Sequence, residues 1–208
     1  MVQLEITGGA RIGFANATWP LATLIVTKYR LDINATIVGN CSFTTNDIIS
    51  IEPCSGLFSK GIKINHRVEA YKNKEIIFWT NQKFEDIINS INEVGFVCNS
   101  PSPINEDVIQ RQNMGTFPIK RASGIVISII WILLSSFLLI DFFNFKEPPS
   151  FKGIIPPFIF ILTLSILILI SKKFRNIILK KGRTIKDIDK VLYFILGISL
   201  LVLLGLII

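Results

Sequence analysis

Histidine occurs once in this chain, cysteine three times and methionine twice, and charged residues make up only 18% of the 208 positions. Cys41, Cys54 and Cys98 are odd in number, far apart and without a C-x-x-C pair. With His66 as the only imidazole, that pattern excludes a sequence-coded zinc site or disulfide framework. The cysteines are expected to be small buried thiols in a reducing compartment. There is no G-x-x-x-x-G-K-[ST] phosphate loop, and Gly8-Gly9 alone does not make one. No Ser, Cys or carboxylate motif surrounds His66, so a hydrogen-bonding role within a strand or at a barrel rim is expected for it. Glu85 and Asp86 are neighbours on a predicted helix and point about 100° apart, which does not build an acid/base pair. The expectation is a protein without catalytic residues, cofactor or metal.

Apolar residues are abundant, at 50% of the chain with a mean hydropathy of +0.54, and they are unevenly placed. Residues 1–118 hold ten Lys and Arg against eleven Asp and Glu, net −1. Residues 119–208 hold twelve against four, net +8, so the +7 total belongs to the second part. That part also carries three 18-residue runs free of charge, at 123–140, 154–171 and 191–208. As helices each would measure about 27 Å, close to a hydrocarbon core of about 30 Å. Three transmembrane helices are therefore expected. Pro156 and Pro157 fall in the first turn of the second run, where a missing N–H breaks no helical bond, and mark its start. None of the runs contains a charged residue, which disfavours an ion-coupled transporter.

Orientation follows from the loops. Lys120 and Arg121 precede the first run, and eight cations lie within residues 172–190, between the second and third. The positive-inside rule puts both on the cytoplasmic side of an inner or plasma membrane, so the C-terminus is expected outside. The first residues, MVQLEITGGARIGF, have neither a basic start nor an apolar core of signal-peptide length, and residues 1–98 are expected in the cytoplasm. The N-x-S/T triplets at Asn16, Asn34 and Asn40 are then chance matches. Among the cations of the basic loop, Lys172, Lys173, Arg175, Lys180, Lys181 and Arg183 are the candidate contacts to anionic lipid, with Phe174, Ile177 and Ile178 able to enter the interface. The plainer reading is that they set topology alone.

The N-terminal segment reads as β structure. Short β-rich stretches at 11–15, 21–27, 30–38, 41–44, 48–52, 61–68 and 75–79 alternate with turn residues. Lys28-Tyr29 reads as a tight hairpin between alternating apolar positions, Leu24 and Val26 on one side and Leu31 and Ile33 on the other. The period then changes: Phe84, Ile87, Ile88, Ile91 and Val94 share one helical face, with Asn81 as the expected N-cap and Gly95 as the C-terminal cap. Residues 99–122, with Pro101 and Pro103, read as a linker to the membrane part at 123–208.

Gly8-Gly9-Ala10-Arg11, Asn16 with Trp19-Pro20, the strand from Gly61 to His66, Tyr71, Ile76-Ile77-Phe78-Trp79 and Gly95-Phe96 resemble small bacterial membrane proteins with a pleckstrin-homology-like (PH-like), or GRAM-like, domain. The resemblance covers about residues 8–97; Lys72 follows the tyrosine where a proline is common in the family. It implies a mixed architecture: a seven-stranded PH-like β-barrel with a C-terminal capping helix, followed here by the three transmembrane helices. It also implies binding or scaffolding rather than an established activity. Phosphoinositide binding would need Lys28, Arg30, Lys60, Lys63 and Arg67 to converge. The expected partners are the lipid bilayer and either other proteins or further copies of the chain, with no nucleic acid. The alternatives are an accessory subunit of a membrane transport or channel assembly, and an anionic-lipid sensor.

Overall fold

A computed structural model describes residues 3–56, 59–72, 74–143 and 152–206. The chain divides into two compact units, Met1–Pro118 and Ile119–Ile208.

In the first unit seven antiparallel strands form one curled sheet, a half-barrel compatible with a PH-like barrel. They are β1 (Leu4–Ile12), β2 (Ala15–Thr27), β3 (Arg30–Asn34), β4 (Asn40–Thr44), β5 (Ile48–Ser55), β6 (Lys60–His66) and β7 (Ile76–Thr80). Their order is β4-β3-β2-β1-β7-β6-β5, so β4 and β5 are the sheet edges. Alternation fixes the register: Leu24, Val26, Leu31 and Ile33 are fully buried, while the Lys28-Tyr29 turn joins the paired Thr27 and Arg30. Phe43, Ile62, Tyr71 and Phe78 complete the core. Helix α1 (Phe84–Glu93) closes it through Ile87 and Ile91.

Gly61 is a glycine because β7 runs too close for a side chain. A Cβ there would lie 2.1 Å from the Phe78 carbonyl oxygen. Gly95, at φ +81, ends α1: its N–H reaches the Asn92 carbonyl and the Phe96 N–H reaches that of Ile91, the two bonds of a Schellman motif. Phe96 is buried in the core as a result.

Several expectations are corrected. Residues 11–15 are not a strand but the end of a hairpin, in which Ile12 pairs with Ala15 and Gly13, at φ +66, makes the turn with Phe14. The strand expected over 30–38 stops at Asn34, because the Asn34 side chain accepts from Thr36 N–H and the Asn40 side chain from Ala35 N–H, which stabilises a turn. Lys83, not Asn81, is the N-cap of α1, and its side chain makes no capping bond. The segment 99–122, read as a linker, is partly helical. It holds α2 (Glu106–Asn113), N-capped by Asn105, which buries Val108 completely and rests on β4 through Gln112, whose amide donates to the Ser42 carbonyl and to Asp47. Beyond it the Thr116 carbonyl accepts from Asn40 N–H at 2.7 Å, so the first unit extends to Pro118.

The second unit is helical: α3 (Arg121–Phe142), α4 (Ile155–Ile170), α5 (Lys172–Ile178) and α6 (Asp189–Gly205). Two helical stretches, Arg121–Leu139 and Lys152–Ile170, are long and apolar enough to cross a membrane. The third expected span is not matched. Among the described residues α6 has 17 residues and starts on Asp189 and Lys190, short of the roughly 20 apolar residues of a span. Residues 207 and 208 of that run, and most of the turn expected at 141–153, lie outside the described residues. Helices α4 and α6 pack together, with Ser165 and Ser199 both buried, and small residues of this kind permit close helix approach. Trp131 on α3 meets Phe158 on α4 edge-to-face at 6.1 Å.

Candidate functional site

Two surface sites stand out in the first unit. One is an open groove of about 520 Å³ beside β6 and the 3₁₀ turn Glu69–Tyr71. Its lining includes Lys63, His66, Arg67, Lys72 and Lys74, together with Glu69 and Glu75. His66 belongs to an aromatic cluster, 5.5 Å from the Phe43 ring and 5.9 Å from the Tyr71 ring. Tyr71 is fully buried and its hydroxyl accepts from Ser42 N–H. Burial pushes the His66 imidazole below its ordinary pKa, against the opposing pull of a hydrogen bond with the Lys74 backbone and the charge of Asp47. It is therefore the neutral form that packs against the two rings at neutral pH.

Of the five cations that phosphoinositide binding would need to converge, Lys63 and Arg67 line this groove. Lys28 and Arg30 sit at the other turn of β2, where Arg30 is held by Asp32 and Asp107, and Lys60 is paired with Thr80 at the start of β6. Lys72 and Lys74 join the groove instead, brought there by the turn after β6, a placement that the spacing of the basic residues does not show. Two of the four groove cations are paired with carboxylates. Lys63 lies 3.4 Å from Glu75, Lys72 lies 3.0 Å from Glu69, and Arg67 donates to the Asn99 side chain. A groove with four cations and two carboxylates is only mildly positive, and it lacks the unshared cluster that a polyphosphate headgroup requires.

The second site is a groove of about 440 Å³ lined by Trp19, Trp79, Asn16, Thr18, Thr80 and Asn81 among others. It brings together Asn16, Trp19 and Trp79, which lie at opposite ends of the domain's sequence. Trp79 stands in register with Gly9 on β1 and Gly61 on β6, so no side chain from either neighbouring strand stands opposite it. Trp19 is 68% exposed. Indole rings over a floor without side chains offer apolar area, and the asparagines and threonines offer hydrogen bonds at the edge.

In the second unit the six candidate lipid contacts separate by environment. Lys172, Lys173 and Lys181 are exposed and Lys180 is half-buried. Arg175 donates to the carbonyls of Ile168 and Leu169 and so caps the end of α4. The Arg183 side chain is fully buried, 3.7 Å from Asp187, which in turn forms a capping box with Thr184. Arg183 is therefore a structural residue. Sequence spacing treats all six alike, because the i, i+4 step from Arg183 to Asp187 reads as a solvent-exposed pair until the loop is seen folded.

Among the described residues, no group of three or more His, Cys, Asp or Glu is placed to hold a metal ion. No family model, curated protein or solved structure matches this chain.

Proposed function

We propose that this is a membrane-anchored binding protein whose N-terminal PH-like domain acts as a protein-binding or self-association module at the cytoplasmic face of an inner or plasma membrane. The observation that supports it best is the Trp19–Trp79 groove, because an exposed tryptophan beside a half-buried one in a concave, partly polar setting is what protein-binding hot spots use. The sheet edges are poor docking sites by comparison. Helix α2 covers β4, and β5 carries Pro53 and an irregular register between Ile48 and Ser50. Association would thus use the outer face of the sheet rather than strand addition.

In the proposed arrangement the N-terminus is inside, α3 and α4 cross the bilayer, and the C-terminus lies outside because α6 crosses as a third and shorter span. Lys172, Lys173, Lys180 and Lys181 flank the cytoplasmic end as contacts to anionic headgroups. The accessory-subunit reading is favoured by one feature: none of the apolar window of α3 is buried within its own unit, which leaves it free to pack on another membrane protein.

Native purification of the full chain and of Trp19→Ala tests the binding reading. Loss of a partner in Trp19→Ala, with membrane insertion unchanged, supports it; an identical partner set in both proteins, abolished only by replacing α3, supports the accessory subunit instead. Reporter fusions after residues 145, 182 and 208 are expected to read outside, inside and outside.

A further inference from the structure

Every residue that lines the Trp19–Trp79 groove is uncharged. Asn16, Thr18 and Asn81 are exposed there, and among the described residues no hydrogen bond engages their side chains. Indole surface beside open amide and hydroxyl groups suits a segment that brings apolar side chains and backbone carbonyls but no charge. A charged segment would lose water at its charge and find no counter-ion in the groove.

The chain carries such a segment and displays it. Residues 98–105 contain no charged side chain. Pro101 and Pro103 fix their own φ and restrict Ser100 and Ser102 to extended backbone, and residues 100–104 lie in no helix, strand or turn. Extended backbone of this kind has three residues per turn, which puts Pro101 and Ile104 on one face about 9 Å apart. Both ends of the segment are held. The Thr45 hydroxyl donates to the Ser100 carbonyl, and the Asn105 side chain caps α2. Ile104 between them is nevertheless 87% exposed. A branched apolar side chain held in water on a fixed backbone adds nothing to the core, but its ordering cost on binding is already met.

The groove of the same copy is out of reach. Ser59, in the groove, precedes Lys60 at one end of β6, whereas Asn99 N–H donates to the carbonyl of Ile48, the partner of His66 at the other end. Six steps of about 3.3 Å separate those ends by about 20 Å.

We infer that segment 101–104 of one copy docks in the Trp19–Trp79 groove of a second copy, with Ile104 against the indoles and the segment's carbonyls against Asn16 and Asn81. Groove and segment lie at different ends of the same unit, so each copy carries both halves of the contact. This rests on the reading of the groove as a protein-binding site, and it names the partner.

The test uses the full chain in liposomes, reconstituted from two differently tagged populations, with photoreactive p-benzoylphenylalanine at position 104. The expected product carries both tags, its adduct maps by mass spectrometry to residues 16–19 or 79–81, and its yield falls several-fold in Trp19→Ala. The probe replaces the isoleucine, so a second measurement keeps it: energy transfer between donor-labelled and acceptor-labelled copies, expected to drop several-fold in Ile104→Asp, whose charge the groove cannot host. No two-tag product, an adduct within one chain, an adduct outside the groove, or energy transfer unchanged in Ile104→Asp would each overturn the docking. Native purification keeps the two levels apart. A different protein lost from Trp19→Ala, with no pairing of copies, overturns self-docking and leaves the groove a binding site; Trp19→Ala without effect on either pairing or partners overturns both.

Discussion

Asp107 on α2 accepts a 2.5 Å hydrogen bond from Nη1 of Arg30 on β3, across 77 residues of sequence. The same carboxylate lies 3.3 Å from Arg111, one helical turn on. Partial burial acts to raise the Asp107 pKa, but the two guanidinium groups outweigh it and hold the carboxyl below its ordinary value.

Asp107→Asn removes both ion pairs and is expected to loosen α2 while the sheet stays folded. Because Asp107 is largely exposed, the loss is expected to be at most about 1 kcal/mol. Faster amide exchange confined to residues 106–113, and weaker α2 protection in wild type at high salt, would show it. The sign with pH is fixed by the depressed pKa: the contribution is present above the unfolded value of 3.8 and is lost as pH falls through the lower folded value. Unchanged exchange in Asp107→Asn would mean that Val108 and Gln112 hold the helix alone.

His66 gives a second pH dependence at a higher range. Its folded pKa is lowered, so the unfolded state binds the proton more readily. Stability is fully present above the unfolded value of 6.5 and falls as pH drops through the lower folded value. His66→Gln should flatten this part of a thermal-midpoint profile against pH. An unaltered profile would exclude His66 as its source.

Gly61→Ala is expected to destabilise the first unit by roughly 3 kcal/mol, at the upper end of ordinary overpacking. The added methyl meets main chain at Phe78, which cannot swing aside as a side-chain tip could. Gly197→Ala on α6 is the contrast, because nothing lies within 4 Å of its new Cβ. There helix propensity alone acts, for a gain of up to about 1 kcal/mol. Paired thermal unfolding of the two variants checks the difference in sign.

Arg183→Ala is expected to cost about 3 kcal/mol or more in the second unit, because it leaves the buried Asp187 carboxylate without its cation. Lys181→Ala, at an exposed position, should be nearly silent. Limited proteolysis of residues 172–190 in detergent separates them. Equal resistance in the two variants would show that the capping box of Thr184 and Asp187 suffices without the arginine.

What could be read from the sequence tracks how locally each feature is encoded. The Lys28-Tyr29 hairpin, the apolar face of α1 and the Gly95 cap were legible because each depends on a few neighbouring residues with a clear period or backbone requirement. Strand β1 was hidden. Its Gly8-Gly9 pair looks like a loop, and the glycines are required by neighbouring backbones that come from β2 and β7. Helix α2 was hidden for the opposite reason: it is polar on nearly every face and depends on one buried valine and on partners in β3 and β4. At the candidate sites, residue types were legible and convergence was not. No spacing rule joins Trp19 to Trp79 or Lys63 to Lys74, and none distinguishes a buried Arg183 from an exposed Lys181.

The bond from Asn40 to Thr116 has a mechanical consequence. Pro118 and Ile119 are the last residues of one unit and the first of the next, so tension transmitted through α3 reaches the domain at Thr116. It is taken up first by the two hydrogen bonds that Thr116 accepts, from Asn40 at the end of the edge strand β4 and from the Lys74 side chain, and then by α2 along that strand. Pulling would therefore peel the domain from one edge, bond by bond, rather than shear its whole sheet at once, and the first part to yield would be the cover over β4.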